Sequence, residues 1–169
     1  MKAEKGGDIP MRLSEFLRPE LIKVRLEAKD KWDCIAQLID LAVAAKELKP
    51  ETRDKVLEIV YDRERSMSTG MERGIAIPHA STHLVDSIVG AIGISRSGIP
   101  FDSLDGQPAQ LVVLLVIPKD KFQQHVRTLA GIARLFKHDF MTTALRDAKS
   151  PEEAMDIIRN EERKDLFTT

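Results

Sequence analysis

One cysteine among 169 residues, a formal net charge of −1 and no long apolar segment already narrow what this chain can be. Cys34, standing alone, can neither close an intramolecular disulfide nor build a cysteine-based zinc site, which points to a reducing compartment and a cytoplasmic location. With 26 Lys+Arg set against 27 Asp+Glu there is no whole-molecule field to attract a polyanion. Neither nucleic acid nor a membrane surface is therefore expected as a partner. The longest uninterrupted apolar run, Leu111 to Ile117, falls far short of the ~18 residues of a spanning helix and reads as a buried strand, so no membrane insertion is expected. The opening MKAEKGGDIP carries charge but no apolar stretch and no small-residue cleavage site, so it reads as neither signal peptide nor anchor. Residues 1–10 are expected to form a flexible tail, with Met11 as a second candidate start, and 11–169 a single domain.

What is present is a change of period along the chain. Ile22 to Leu26 alternates apolar and polar, as a half-buried strand does. Asp30 can cap a helix whose buried face carries Ile35, Leu38, Ile39, Ala42 and Val43. After the break at Lys49-Pro50, a second helix with Val56, Leu57, Ile59 and Val60 runs out near Arg65. Residues 66–74 read as a loop containing Gly70 and Gly74, and the strand Ile75-Ala76-Ile77 stops at Pro78. Further strands are expected in Ile88–Ile94 and, beyond an Asp105-Gly106 turn, in the run ending at Pro118. From Lys121 the spacing is helical, with His125, Leu129, Ile132 and Phe136 in one stripe and Val126, Ala130 and Ala133 beside it. Two shorter helices close the chain, the last capped through Ser150-Pro151-Glu152-Glu153. The expected fold is α/β, an α+β sandwich in which helices flank a mixed central sheet on both sides.

The stretch Gly74 to Ala80 concentrates the chemical interest. Pro78 ends sheet pairing in this reading, so His79 stands just past a strand end beside a glycine-bearing loop. On its residues alone, His79 can be a nucleophile, a general base, a metal ligand or a surface histidine. His83 follows at four-residue spacing, and a metal hydrolase built on His79, His83 and His125 is a remote alternative that the non-helical Pro78 segment disfavours. His138 reads as a helix-end surface residue and Cys34 as a packing residue.

Ser68-Thr69-Gly70-Met71 followed by Gly74-Ile75-Ala76-Ile77-Pro78-His79-Ala80 resembles the signature of enzyme IIA domains of the bacterial phosphotransferase system, in the fructose, mannitol and nitrogen-regulatory group. Asp62-Arg63-Glu64, Phe101-Asp102, Asp105-Gly106, Leu114 to Pro118, and His125 with Leu129 and Ala130 continue the pattern in order over about residues 12–162. The resemblance implies that His79 accepts a phosphoryl group from an HPr-type carrier and passes it to a IIB-type partner or serves a regulatory target. It implies that His125 donates a hydrogen bond to the phosphoryl group and that Arg63, with Arg65 as competitor, stabilises its charge. Ser68, Thr69 and Gly70 would offer further donors to the phosphate. No metal and no cofactor is expected. Glu72 departs from the family's usual Gly or Ala, and it is the one feature favouring a rival reading as a non-transferring adaptor. One A-type domain without a permease or a cysteine-bearing B domain implies a separate acceptor protein, which favours the nitrogen-regulatory branch.

Overall fold

The computed structural model describes residues 11–166; the expected tail at 1–10 and the end of the expected domain at 167–169 lie outside it. A short helix α1 (Leu13–Phe16) and a 3-10 turn lead into β1 (Ile22–Lys23). Helices α2 (Lys31–Ala44) and α3 (Arg53–Ser66) follow. Next come β2 (Ile75–Ala76), β3 (His79–Thr82), β4 (Val89–Ile99) and β5 (Ala109–Pro118). Helices α4 (Phe122–Leu135), α5 (Asp139–Arg146) and α6 (Pro151–Leu166) complete the order.

The sheet is mixed. β4 and β5 pair antiparallel at its centre, β1 runs parallel to β4, and β2 and β3 both run parallel to β5 along its other edge. Helices cover both faces, as Gly90 and Gly93 of β4 show, because residues three apart on a strand point to opposite sides. A Cβ at Gly93 would meet Leu26 and Leu38, whereas one at Gly90 would meet Phe16. Helices α2 and α3 pack together against β4 and β3, while α1 packs against α6 and against β4. The run Leu111 to Ile117 is buried throughout, as expected of a strand with no solvent face.

Several expectations shift in detail. The strand expected over Ile22 to Leu26 ends at Lys23, because Arg25 takes a left-handed conformation (φ 58°) that breaks the extended chain. Leu26 nevertheless returns to the sheet edge, its N–H donating to Ile94 O at 2.7 Å. The last helix is not short: it spans Pro151–Leu166, with Ser150 Oγ accepting from Glu153 N at 3.1 Å. On α4 the buried face is His125, Thr128, Ile132 and Leu135, whereas Val126 and Ala130 are exposed.

The largest correction concerns Pro78. Sheet pairing does not end there: Ile75 and Ala76 pair with Leu111 and Val112, and His79 pairs with Leu115 in unbroken register. Proline cannot donate into a ladder, but on an edge strand its carbonyl still accepts, here from Leu115 N at 3.0 Å. His79 is thus the first residue of β3, held by sheet pairing, and not a residue hanging beyond a strand end.

Asp30 caps α2 as expected, accepting from Asp33 N at 2.8 Å. Because Lys31 is the first residue of that helix, Asp30→Ala should cost about 1 kcal/mol in chemical denaturation, with no change in the sheet.

Candidate functional site

The site starts with a carboxylate in an unusual place. Val56, Val60 and Glu64 recur every four residues along α3, so Glu64 falls on the stripe that the apolar residues bury and is only 2% exposed. A buried carboxylate must have its lone pairs satisfied. Lys31 Nζ approaches Glu64 Oε2 at 3.1 Å, Thr69 N donates to Oε2 at 2.9 Å, and Thr69 Oγ1 donates to Oε1 at 2.7 Å. Lys31 also reaches Asp102 at 3.0 Å, tying in the loop after β4.

Thr69 in turn fixes the segment that leads to His79. Its carbonyl accepts from Ile77 N at 3.2 Å, while Met71 N donates to Ile75 O at 2.8 Å, so residues 69–71 lie antiparallel to 75–77. The Ile77 carbonyl is 2.8 Å from His79 Nδ1. A carbonyl only accepts, so Nδ1 carries the proton and the neutral ring keeps its lone pair on Nε2.

His79 is half-buried, and this burial is the main reason its pKa falls below the ordinary 6.5. The hydrogen bond to Ile77 and the Glu64 charge oppose that shift, and the Arg63 charge adds to it. The structure therefore brings Arg63 within electrostatic reach of His79. Arg63 Nη1 donates to Met67 O at 2.9 Å, folding the guanidinium over the end of α3. Arg65, the competing candidate, turns elsewhere: it pairs with Asp62 at 2.8 Å and lies 5.6 Å from the Trp32 ring centre and 5.7 Å from that of Tyr61.

His125 sits in the first turns of α4 and is only 6% exposed. Its Nδ1 is buried without a hydrogen-bond partner, and burial, followed by the charge of Lys121, lowers its pKa as well. An imidazole in this position stays neutral near pH 7, within the positive end of the helix dipole.

Ser68, Thr69 and Gly70 have a different task from the one expected of them. Ser68 Oγ donates to Phe101 O and accepts from Gly70 N at 3.1 Å, and both Thr69 donors go to Glu64. These donors are committed within the protein and hold the loop in place. Gly70 is needed for close approach: a Cβ there would stand 2.7 Å from Phe101 O and 2.9 Å from Ser103 Cα. Glu72 is exposed, and its neighbours Arg73 and Gly74 make the turn in left-handed conformations (φ 64° and 77°). His83 is exposed at a shallow hollow shared with Lys55, Glu58 and Lys119, and His138 is exposed ahead of α5. Cys34 is fully buried, its thiol pushed up to about 12 mainly by that burial. Among the described residues, no group of three His, Cys, Asp or Glu is arranged to hold a metal ion, and no helix is long and apolar enough to cross a membrane.

Sequence reasoning missed Lys31 and Glu64 as site residues. The signal for Glu64 was there, a carboxylate continuing the Val56–Val60 stripe; Lys31, at a helix start, gave none.

Residues 15–161 match the family model described as "Phosphoenolpyruvate-dependent sugar phosphotransferase system, EIIA 2". The chain is 33% identical over 153 residues to the PTS system fructose-specific EIIABC component of Bacillus subtilis, covering 90% of this chain but only 24% of that protein. It is 32% identical over 160 residues to the nitrogen regulatory protein of Escherichia coli, covering 93% of this chain and 95% of that one. Among solved structures, the nitrogen regulatory protein IIA-Ntr of Neisseria meningitidis superposes with a TM-score of 0.78 at 27% identity, over 86% of this chain and 98% of that one.

Two outcomes follow from the geometry. Gly70→Ala should lower stability by ~1–3 kcal/mol in denaturant unfolding, since backbone atoms block the new methyl group. His79 and His125 both titrate below 6.5 when folded, so the unfolded chain takes up protons that the folded one refuses. Stability is then complete above pH 6.5 and declines as the pH falls through the folded values. Thermal melts from about pH 8 to about pH 5 should show this decline in the wild type and a flatter profile in His79→Gln/His125→Gln.

Proposed function

Because this chain belongs to the phosphoenolpyruvate-dependent sugar phosphotransferase system EIIA 2 family, we propose that it is a phosphohistidine phosphocarrier with His79 as the phosphoacceptor. The observation that carries this reading is the 2.8 Å contact between His79 Nδ1 and Ile77 O, which leaves Nε2 as a neutral nucleophile that feels the Arg63 charge.

In the forward step the Nε2 lone pair attacks the phosphorus of a phosphohistidine on an HPr-type donor. The donor's N–P bond breaks, and the donor imidazole leaves with the bonding pair. The proton stays on Nδ1, hydrogen-bonded to Ile77 O, so the immediate product is the Nδ1-protonated Nε2-phosphohistidine and no proton moves in the transfer. A loose phosphoryl transition state asks for positioning and for positive charge around its equatorial oxygens. Arg63 supplies a planar, permanent charge for that purpose. His125, neutral through burial, donates a hydrogen bond to the same group through Nε2. Transfer to the acceptor repeats the step in reverse, with a nucleophile of a separate IIB-type protein attacking and His79 leaving.

No step requires a metal or cofactor. The reading locates the protein in the cytoplasm, where Cys34 remains a thiol. In a nitrogen-regulatory circuit the phosphorylation state of His79 would itself be the signal to a target protein. The name and the nearly full mutual coverage of the Escherichia coli relative support that branch.

The test uses radiolabelled phosphoenolpyruvate with enzyme I and HPr. Wild-type protein should take up acid-labile, base-stable label, and His79→Ala should take up none. Arg63→Ala and His125→Ala should keep the fold and slow labelling roughly a hundredfold. Label persisting in His79→Ala would disprove the site, and a wild type that never labels would leave the adaptor reading.

A further inference from the structure

The Glu64 carboxylate does no chemistry in the transfer described above, and it occupies a stripe position that an apolar side chain would fill without the cost of desolvating a charge. Its contribution must lie in what it holds. Its side chain is 1% exposed, and that of Lys31 is 8% exposed. Two of its hydrogen bonds go to Thr69, one to the backbone and one to the hydroxyl, which together fix both the position and the rotation of that residue. Thr69 O receives Ile77 N, and Ile77 O receives His79 Nδ1. The first link is this pair of hydrogen bonds and each of the two that follow is a single one, between groups that burial or sheet pairing keeps from turning away.

We propose that Glu64, clamped by Lys31, is the positioning residue of the phosphoacceptor, setting the Ile77 carbonyl through Thr69 so that His79 holds its proton on Nδ1 and presents Nε2. This inference rests on the phosphocarrier reading for its consequence but not for its geometry. Without Glu64 the 66–74 loop loses the anchor of Thr69, and the Ile77 carbonyl is no longer held against the ring. The imidazole then populates both neutral tautomers, and the fraction with Nε2–H cannot attack phosphorus. The charge of Glu64 also acts on His79 in the sense opposite to Arg63, so its removal favours the neutral ring and cannot by itself explain a loss of nucleophile.

The readout that a purely structural role would leave unmoved is the tautomer of His79, taken from long-range proton–nitrogen correlation spectra of the unphosphorylated protein. Glu64→Ala should show a mixture of tautomers and a labelling rate at least tenfold lower, with helix content unchanged by circular dichroism. Glu64→Gln retains an acceptor for Thr69 N and a partner for Thr69 Oγ1, so it should restore the single Nδ1–H tautomer and most of the rate. Should Glu64→Ala fail to fold, Thr69→Val decides: it leaves the Lys31–Glu64 pair in place, and a minor second tautomer is expected. A single Nδ1–H tautomer with an unchanged rate in Glu64→Ala overturns the proposal. So does an unshifted tautomer in Thr69→Val, or Glu64→Gln as damaged as Glu64→Ala. If wild-type protein takes no label while Glu64→Ala still redistributes the tautomers, the positioning stands and the phosphocarrier reading fails. If wild type labels and Glu64→Ala is indistinguishable from it, the reading stands and the positioning fails.

Discussion

A carboxylate removed from water must be surrounded by donors, and in this protein that requirement organises the site. Glu64 draws together the start of α2 through Lys31 and the loop after α3 through Thr69. Lys31 then engages Asp102, adding the loop after β4. Once these segments are fixed, the chain between Thr69 and His79 has little freedom, because residues 69–71 pair with 75–77 and His79 enters the ladder with β5. Gly70 admits the close approach of the Phe101–Ser103 backbone that completes the arrangement. Breaking one partner of a buried ion pair is costlier than removing the pair, so the network is rigid for the same reason that it is vulnerable.

Electrostatics at the two histidines follows from burial. Both imidazoles sit below their ordinary pKa because a charged ring is poorly solvated where they lie. In the proposed phosphocarrier this would suit a His79 that attacks while uncharged and a His125 that donates a hydrogen bond without becoming a cation. The Arg63 charge acts on His79 in the same direction as burial.

Much of this was legible in the sequence, and what was not has a common cause. The period of Ile35, Leu38, Ile39 and Ala42, with Asp30 as cap, gave α2, and the unbroken apolar run gave β5, because both signals are local. His79, Arg63 and His125 emerged as candidates through the family signature, while the turn of Arg65 toward the Trp32–Tyr61 pair is seen only in three dimensions. Pro78 announced a missing N–H, but whether pairing resumes after it depends on the register with β5, a partner distant in sequence. Arg25 gave no sign of its left-handed backbone, since residues other than glycine seldom adopt it. Ser68 and Thr69 looked like phosphate donors because hydroxyl-bearing loops often are; their commitment to Phe101 and Glu64 is a matter of tertiary packing.

In the proposed phosphocarrier the Ile77 carbonyl holds the proton of His79 on Nδ1 and so leaves Nε2 to receive the phosphoryl group. Phosphorus NMR of the protein phosphorylated through HPr distinguishes the two phosphohistidine isomers directly. The arrangement predicts a single Nε2-linked phosphohistidine at His79, and an Nδ1-linked phosphohistidine would contradict it.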